Sequence, residues 1–442
     1  MKISSIAGLL ALLGCLAACS SGSSGNASGS TGGSGTNGGS GGSGSGSGAS
    51  GNRGLPDTTF APDGVIENTL DYNKIVVVSP QSDGKILIGA MNNDQTTSAV
   101  IRLNADGSVD STLSDPAIKN IPNGLYGGLY DVAADANGRI VVTLGETAIR
   151  RYTATGVLDD TFNTVESNLI SNWTPFWSYA ITVGQDGAIY AGGHGTVQGF
   201  TPPSGVNPYA FLQISDYGMP PDGHMLGCSN YSNYVTTAGW QNITHLSLLP
   251  TGALAFTINL EKSATSGGGT GVGRFSQPAS CTLDGTYGTN GSGVWSSTAF
   301  DVVDALFETT GSVDLTTGES LVHIDPTGKS MTSTDLPLSG GGITRAPDGR
   351  YLVAGQYPPA GKNSMAVVYY SYSNGGFTPD MSVGKQGVIT IPVSTALGYP
   401  AGVGLRAVYT PDGSSTVVVG SMQGLNADGT AVEHLVVARI LN

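Results

Sequence analysis

The stretch "SDGKILIGAMNNDQTTSAVIRLNADGSVDSTL" (82–113) contains two phrases that return along the chain. The first phrase is a glycine after a polar residue, followed by a run of β-forming residues. Its other copies are "ANGRIVVTLG" (136–145), "QDGAIYAGG" (185–193), "PTGALAFTI" (250–258), "PDGRYLVAG" (347–355), "PDGSSTVVVG" (411–420) and, more weakly, "TTGSVDL" (309–315). An Asp-Gly or Asn-Gly pair permits the positive φ of a tight turn, so each copy predicts a hairpin followed by a buried strand.

The second phrase is Asp, any residue, Thr or Ser, and then an apolar or aromatic residue. Its copies begin at Asp57, Asp110, Asp159, Asp284 and Asp380, with successive spacings of 53, 49, 125 and 96 residues. The two long spacings each span two repeats, so one copy is missing from each and the five visible copies indicate seven repeats. The first phrase also has seven copies, and the repeats are about 50–60 residues long. We expect the Asp and Thr side chains to bond nearby backbone N–H groups, and the apolar residue to pack between repeats.

Repeats of this length, each large enough for four short strands, are typical of propeller blades or solenoid coils. The ends of the repeat region favour the propeller, because residues 54–66 align with the second half of a repeat and residues 436–442 with the first half. We therefore expect a strand near Gly64–Asn68 to pair with one near His434–Leu441. The predicted fold is an all-β, seven-bladed β-propeller over residues 54–442, closed by strands from both termini so that no sheet edge stays open.

These phrases resemble the delta-60 repeat family of bacterial β-propellers, whose blades follow the pattern "DGKILvaG…vxRlnaDGslDxtFG". The resemblance is close at 82–113, clear in the first two repeats and at 345–442, and weak at 195–345. It implies a propeller fold and provides no catalytic residues to transfer to this chain.

The composition agrees with an all-β protein and excludes some partners. Charged residues are 11% of the chain and 68 residues are Gly, a profile that suits short strands and tight turns better than helices. The formal net charge of −14 argues against nucleic acid, since phosphate binding requires a basic surface.

The N-terminus "MKISSIAGLLALLGCLAAC" (1–19) predicts an export signal over residues 1–18, with Lys2 before a short apolar stretch. "LAAC" (16–19) resembles the bacterial lipobox, which implies that Cys19 is lipidated and anchors the protein to a membrane. The alternative is an ordinary secretory signal with an incidental Cys. Ser20 follows the Cys, and in such lipoproteins the absence of Asp there implies the outer membrane, with the body facing the periplasm or the cell surface.

Residues 19–53 form a linker, almost wholly Gly and Ser after Cys19, which we expect to be disordered. Its root-mean-square reach is ~30 Å, taking about 5–6 Å times the square root of its length. The linker therefore tethers the folded body away from the bilayer.

The irregular part of the chain carries the candidate binding residues. Its aromatic residues lie in "NWTPFWSY" (172–179), in "CSNYSNY" (228–234) and at position 240. Aromatic faces beside Asn and Ser can stack on sugar rings, and they are also common anchors of protein interfaces. The alternative is that they fill the core between two blades. The candidates are Trp173, Trp177, Tyr231, Tyr234 and Trp240.

Cys228 and Cys281 are the remaining thiols apart from Cys15 within the signal and Cys19. Export places them in an oxidising compartment, so we predict a disulfide that closes a long loop. Two unpaired buried thiols are the alternative.

No catalytic set is visible, and the histidines at 194, 224, 245, 323 and 434 show no zinc spacing. The segments "NADGSVD" (104–110) and "NADGTAVE" (426–433) place oxygen-bearing side chains around a Gly, as calcium loops do, but they lack the remaining ligands, so we favour hairpin turns over calcium. We expect no cofactor and no resident metal.

The sequence thus predicts a monomeric, lipid-anchored binding or interaction scaffold for an envelope glycan or protein. The alternative is an extracytoplasmic hydrolase or lyase acting on glycans or lactones. A cluster of carboxylates or histidines at the central channel would favour the enzyme, and a wide, uncharged aromatic face would favour binding.

Overall fold

The computed structural model describes most of the chain from residue 54 to residue 442. The described residues are 54–61, 63–68, 72–81, 83–92, 94–123, 128–145, 148–162, 165–166, 177–195, 206–207, 209–214, 226–230, 239–260, 269–278, 282–288, 293–297, 301–339, 341–357, 364–391, 399–410, 412–425 and 431–442. The predicted signal peptide and linker, with Cys19, lie outside these residues. Within the described part, no helix has the length and apolar character needed to cross a membrane.

The described strands, β1–β31, form seven sheets, and the single short helix among them, α1, is Pro116–Lys119. The first strand of the body is β1 (Val65–Asn68). Sheet 1 contains β2 (Tyr72–Pro80), β3 (Ile86–Asn92), β4 (Thr97–Leu103) and β5 (Ile121–Pro122). Sheet 2 contains β6 (Asp131–Ala134), β7 (Ile140–Thr143), β8 (Ala148–Tyr152) and β9 (Val165–Glu166).

The next two sheets come from the irregular region. Sheet 3 contains β10 (Trp177–Val183), β11 (Ile189–His194), β13 (Tyr209–Ile214) and β14 (Leu226–Asn230). Sheet 4 contains β12 (Val206–Asn207), β15 (Gly239–Leu248), β16 (Leu254–Leu260), β17 (Gly269–Gln277), β18 (Thr282–Leu283) and β19 (Val294–Ser297).

The remaining three sheets complete the body. Sheet 5 contains β20 (Asp304–Phe307), β21 (Val313–Thr316), β22 (Ser320–Ile324) and β23 (Met331–Asp335). Sheet 6 contains β24 (Ile343–Arg345), β25 (Tyr351–Tyr357), β26 (Ser364–Ser373), β27 (Gly376–Pro379) and β28 (Val388–Thr390). Sheet 7 contains β29 (Tyr399–Tyr409), β30 (Ser415–Leu425), β31 (Ala431–Leu441) and the early strand β1.

Sheet 7 joins the two ends of the described body. β1 pairs antiparallel with β31, in a register that places Val65 opposite Ala438 and Asn68 opposite Leu435. This is the pairing expected from the two half-repeats. The N–H of Gly54 also donates to the carbonyl of Leu441 at 2.8 Å.

Neighbouring sheets pack face to face through apolar residues, and the fold is an all-β β-propeller. The first strands of successive sheets contact one another in the order β2, β6, β10, β15, β20, β24, β29, and β29 contacts β2. Apolar clusters fill the spaces between sheets, as with Leu87 and Val142 between sheets 1 and 2. Val78 and Val419 do the same between sheets 7 and 1.

Every hairpin glycine of the first phrase joins the first and second strands of a sheet, as predicted. All have positive φ: Gly84 (83°), Gly138 (74°), Gly187 (83°), Gly252 (81°), Gly311 (90°), Gly349 (87°) and Gly413 (69°). We call the end of the sheets that carries these glycines the turn end, and the opposite end the loop end.

The second phrase forms a local turn in each of its five copies. One carboxylate oxygen of the Asp accepts hydrogen bonds from the hydroxyl group, at 2.5–2.6 Å, and from the backbone N–H two residues later, at 2.9–3.0 Å. The apolar residue that follows packs toward the next sheet, as predicted: a Cβ added to Gly107 of sheet 1 would lie 2.9 Å from the ring of Phe60, which follows Asp57 in the chain.

An arginine on the third strand of the sheet completes this turn in four copies. Its Nε donates to the second oxygen of the Asp at 2.7–2.8 Å. We call these pairs the arginine locks: Arg102–Asp110, Arg151–Asp159, Arg274–Asp284 and Arg439–Asp57.

Three of the locks also reach the following sheet. Arg439 of sheet 7 donates to the carbonyl of Asp106 in sheet 1 at 3.0 Å, and Arg102 of sheet 1 donates to the carbonyl of Ala154 in sheet 2 at 2.9 Å. Arg274 of sheet 4 makes the corresponding bond to Pro326 of sheet 5 at 3.4 Å. Each of these locks therefore fastens its own sheet and the turn of the next.

Asp110 shows how the locks favour the charged carboxylate. Burial by itself would raise the pKa of Asp110, but hydrogen bonds from Thr112, Lys85 and Arg102 outweigh burial and hold its pKa well below the ordinary value. The lock is therefore ionised at neutral pH, and it is weakened only when strong acid protonates the carboxylate.

We predict that Asp110→Asn lowers the free energy of unfolding by about 3 kcal/mol, because Arg102, which is 5% exposed, loses its charged partner. Urea denaturation at neutral pH measures the change. Asp94→Asn is the matched control, since the exposed Asp94 accepts the same two hydrogen bonds from Thr96. Equal losses in the two variants would show that the turn, and not the lock, is responsible.

Candidate functional site

A half-buried aromatic cluster lies at the loop end of sheets 2, 3 and 4. It consists of Tyr130, Trp177, Tyr179, His194 and Asn242, which we call the aromatic cluster. Tyr130 precedes β6, Trp177 and Tyr179 lie at the start of β10, His194 ends β11 and Asn242 is in β15. Three neighbouring first strands of the propeller therefore contribute to one surface.

Ring contacts hold the aromatic cluster together. Trp177 lies opposite His194 in the sheet, and their rings stack with centroids 5.6 Å apart. Tyr179 lies at an irregularity in β10 between Ser178 and Ala180, and its ring meets Tyr130 edge to face at 4.9 Å. Trp177 and Tyr179, which are two residues apart in β10, thus present two aromatic rings at the same end of the strand.

The aromatic cluster carries no formal charge. Burial lowers the pKa of His194 to about 4, against the opposing effect of its hydrogen bond to Asn242, so the ring is neutral at physiological pH. His194 Nδ1 lies 2.6 Å from Asn242 Oδ1, which places the ring proton on Nδ1 because a carbonyl oxygen only accepts. Burial also raises the pKa of Tyr130. His194 is 3% exposed, so the surface offers aromatic faces and the half-buried amide of Asn242, with the neutral imidazole beneath them.

Of the residues predicted to bind, the structure places the side chain of Trp177 at this surface. Trp240 is the second residue of β15 and Cys228 lies in β14, and at both positions only the backbone is described. Trp173, Tyr231, Tyr234 and Cys281 lie outside the described residues, so the predicted disulfide and the rest of the predicted face stay predictions.

Tyr130, Tyr179, His194 and Asn242 were missed by the sequence reasoning. A partial signal exists in the chain, since Tyr179 closes the quoted aromatic run and His194 lies close behind the hairpin of Gly187. Nothing in the sequence indicates that Tyr130 and Asn242, which belong to other repeats, join them.

A second group of polar residues lies along the first strands, deeper than the aromatic cluster. Asp131, His245, Asp304 and Arg406 each precede the hairpin glycine of their repeat by seven residues, as the pairs 131/138, 245/252, 304/311 and 406/413 show. They are all buried. We call these four residues the channel layer.

Contacts across the propeller bring three members of the channel layer together, namely His245, Asp304 and Arg406. Arg406 of sheet 7 donates to Asp304 of sheet 5, although sheet 6 lies between these sheets along the chain. His245 of sheet 4 has its Nε2 3.6 Å from the other oxygen of Asp304. Three separate sheets therefore converge on one carboxylate.

Both aspartates of the channel layer also bridge to the next sheet. Asp131 accepts from the N–H groups of Val132 and of Ile181 in sheet 3, both at 2.8 Å. Asp304 accepts in the same way from Ala305 and from Ile343 in sheet 6, both at 2.9 Å. The two aspartates are thus structural bridges between neighbouring first strands.

The charges of the channel layer are concentrated around Asp304. Burial raises the pKa of Asp304, while Arg406 and the N–H donors oppose that rise. Burial and the positive charge of Arg406 lower the pKa of His245 to about 3, so this ring is neutral, and its Nδ1 lies 2.7 Å from Thr257 Oγ1. Among the described residues, no group of three or more His, Cys, Asp or Glu is arranged to hold a metal ion.

The segment proposed as a hairpin in preference to a calcium loop has the bonding of a turn. One oxygen of Asp106 accepts from the N–H and the hydroxyl of Ser108 at 2.9 and 2.6 Å, while Asp110 belongs to an arginine lock. Most of the related segment at 426–433 lies outside the described residues.

Comparison with known proteins supports the fold. Residues 81–113 match a family model described as "Domain of unknown function (DUF5122) beta-propeller". These residues contain the whole of the stretch 82–113, in which both repeated phrases are clearest. No curated protein sequence is significantly similar to the chain.

Solved structures resemble the chain only remotely. The polysaccharide lyase Uly1 is 10% identical with a TM-score of 0.46, over 84% of this chain and 90% of that one. The WD40 domain of Neurospora crassa Pan2 is 10% identical with a TM-score of 0.45, over 83% and 89%. A gluconolactonase from Xanthomonas campestris is 15% identical with a TM-score of 0.34, over 66% and 94%. Similarity at these levels gives no information on the activity of this chain.

We predict that Arg406→Leu lowers the free energy of unfolding by about 3–5 kcal/mol, because it leaves Asp304 buried without a cation. The double variant Arg406→Leu with Asp304→Asn should recover part of this loss, since no uncompensated charge then remains. Chemical denaturation of the single and double variants gives the coupling energy. Additive losses would contradict the direct interaction across the axis.

Proposed function

We propose that this protein is a binding module of the cell envelope, in which the seven sheets are the blades of a ring closed by β1 and β31, and that the aromatic cluster takes uncharged carbohydrate. The observation that carries the proposal is the cluster itself: half-buried Tyr130, Trp177 and Tyr179 beside the neutral polar groups of His194 and Asn242. Sugar rings present apolar faces to aromatic side chains and hydroxyls to amide groups, and His194 orients the Asn242 amide.

The electrostatics favour an uncharged ligand over an acidic one. The aromatic cluster has no cation to pair with a carboxylate or phosphate, and the formal net charge of the chain is −14. A long-range negative field slows the approach of anions and leaves neutral ligands unaffected. Neutral glycans therefore fit this surface better than uronate polymers or phosphorylated ligands.

The position of the tether supports the same assignment. Gly54, where the predicted linker meets the folded body, bonds to Leu441 at the turn end of sheet 7. The aromatic cluster lies at the loop end. With lipidation at Cys19 and anchoring in the outer membrane, as we propose, the linker leaves from the end opposite the cluster, so the loop end can face away from the bilayer.

The remaining candidate residues belong to the same half of the chain. Trp173 is close in sequence to β10, and Trp240 is the second residue of β15, the strand that carries Asn242. We propose that they, with Tyr231 and Tyr234, extend the binding surface at the loop end, and that Cys228 and Cys281 form a disulfide nearby. We propose that the protein acts as a monomer without a cofactor.

We predict that Trp177→Ala weakens retention of the full chain on neutral glycans by about tenfold or more, since an aromatic contact contributes roughly 0.5–1.5 kcal/mol beyond its buried area. Asn242→Ala should weaken it through lost hydrogen bonds. A glycan array followed by affinity electrophoresis measures the change. Tyr372→Ala, which removes a half-buried ring in β26 near the turn end, is the control and should bind like the wild type.

Two outcomes would contradict the glycan assignment. Unchanged retention in Trp177→Ala with a lowered melting temperature would make Trp177 a packing residue. Retention of envelope proteins that survives removal of glycans, but is lost in Trp177→Ala, would make the cluster a protein interface.

A second candidate function is an extracytoplasmic hydrolase or lyase, and the channel layer is the observation that favours it. A neutral His245 is suited to accept a proton, and the Arg406 guanidinium is suited to stabilise a developing anion. Both side chains are buried, with exposed fractions of 0% and 3%, so the substrate would have to enter from the loop end after local opening.

Turnover assays test this second function directly. If it operates, His245→Gln should lower kcat on lactones or uronate polysaccharides by about 10²–10⁴-fold, the usual contribution of a general base. Trp177→Ala should then act mainly on KM. Absence of turnover by the wild type on both substrate classes would exclude the enzyme and leave the binding module.

A further inference from the structure

Sheet 5 departs from the repeat at two positions that contact each other. Asp314 comes three residues after Gly311, at the position where sheet 1 has Leu87 after Gly84 and sheet 6 has Leu352 after Gly349. His323 precedes the turn glycine Gly328 by five residues, the position that a lock arginine occupies before Gly107 and Gly156 in sheets 1 and 2.

In place of an arginine lock, sheet 5 has a half-buried histidine paired with a buried carboxylate. His323 and Asp314 lie opposite each other on β22 and β21, and His323 Nδ1 is 2.7 Å from Asp314 Oδ1. Asp314 is 0% exposed. The ring of Tyr372 on β26 covers His323, with centroids 4.2 Å apart.

A second carboxylate, Glu308, lies at the same interface and reaches sheet 6. Its Oε2 accepts from Arg345 Nη1 at 2.5 Å, and the Arg345 guanidinium lies 5.3 Å from the centre of the Tyr351 ring. Arg345 is 43% exposed, whereas Glu308 is buried. The cation is therefore solvated while its partner is not.

Both carboxylates keep one buried oxygen without a hydrogen-bond partner among the described residues, namely Asp314 Oδ2 and Glu308 Oε1. A buried ionised carboxylate normally has both oxygens bonded, because an unsatisfied charged oxygen costs several kcal/mol. A proton on one of the two groups removes that cost, because it neutralises one charge and supplies a donor.

The electrostatic surroundings agree with a bound proton. Burial raises the pKa of Asp314 and of Glu308, and the negative charge of Asp314 adds to the rise at Glu308. His323 lowers the pKa of Asp314, Arg345 lowers that of both groups, and the Tyr351 hydroxyl also acts in this direction at both. The groups that face the pair are His323 from β22, Arg345 from β24, Tyr351 from β25 and Tyr372 from β26. Burial and the two carboxylates also raise the pKa of Tyr351, which therefore stays protonated.

We propose that Glu308 and Asp314 hold one proton between them in the folded protein, and that its loss at higher pH weakens the contact between sheets 5 and 6. Loss of the proton leaves two negative charges at an interface where the guanidinium paired with Glu308, that of Arg345, is half-exposed. Because an arginine lock is replaced here by His323, this interface lacks the fastening that Arg102 and Arg439 provide elsewhere. The contact between sheets 5 and 6 is therefore weakened as the pH rises, whereas the locked interfaces are weakened only in acid.

The sign of the effect on stability follows from the direction of the shifts. A carboxyl group with a raised pKa binds more protons in the folded state than in the unfolded state, so folding is less favourable as the pH rises. The contribution is complete below the ordinary carboxyl pKa and is lost as the pH passes the raised value. The arginine locks have the opposite dependence, since their carboxylates have lowered pKa values.

The test compares the pH dependence of urea denaturation in the full-length wild type, Glu308→Gln and Asp314→Asn. Between the ordinary and the raised pKa, the folding equilibrium constant of the wild type should fall relative to each variant by up to about tenfold per pH unit, the linkage of one proton. Asp348→Asn is the control, because Asp348 is an exposed carboxylate, 52% accessible, paired with Arg350 of sheet 6.

Infrared spectroscopy of the folded protein provides a readout that does not depend on unfolding. The stretching band of a protonated carboxyl group should be present in the wild type at mildly acidic pH and reduced in Asp314→Asn or Glu308→Gln. If one variant does not fold, the band in the other variant and in the wild type decides the question. Parallel stability curves for all the proteins, or a wild type without the band above the ordinary carboxyl pKa, would overturn the proposal.

Discussion

The charge-assisted bond between a third-strand arginine and the aspartate of the following turn is the interaction on which the ring most depends. A propeller sheet is held to its neighbours mainly by side-chain packing, since backbone hydrogen bonds run within each sheet. The arginine lock adds a directional contact at this weak point. In Arg102 one guanidinium reaches the carboxylate of Asp110, the hydroxyl of Thr112 and the carbonyl of Ala154 in the next sheet. The planar group with several fixed donors makes this possible, and lysine would not replace it.

Sheet 7 shows the same interaction at the junction of the chain ends. Arg439 near the C-terminus bonds to Asp57 and Thr59 near the start of the folded body and to Asp106 of sheet 1. Three sequence-distant segments thus meet at one guanidinium. The last strand, β31, therefore carries the same arginine lock as the third strands of sheets 1 and 2. The contact between the two chain ends is stabilised in the same way as the contact between sheets 1 and 2.

The two candidate sites differ in charge: the channel layer is charged and buried, whereas the aromatic cluster is uncharged. The channel layer contains buried charge in bridging roles, with Asp131 and Asp304 bonding to the next first strand. The aromatic cluster is uncharged and half-buried, which suits reversible contact with a neutral ligand. The pair Glu308 and Asp314 belongs to neither group, because it lies between sheets at the turn end and retains unsatisfied oxygens. Buried polar groups that break the pattern of a repeat are expected at functional or strained sites.

The sequence by itself determined the repeat unit, the hairpin at each turn glycine, the turn at each Asp-x-Thr copy and the pairing of Val65–Asn68 with the terminal strand. These features are local or periodic, so the positive φ of a glycine or the alignment of two half-repeats is sufficient to predict them. Tertiary structure alone decided that Tyr130 and Asn242 lie beside Trp177. It also decided that Arg406 bonds to Asp304 of another sheet. It decided too that His323 contacts Asp314, at a position where other sheets have a lock arginine. Such contacts depend on which strands become neighbours and how far each side chain reaches, because propeller sites are assembled from residues far apart in the chain.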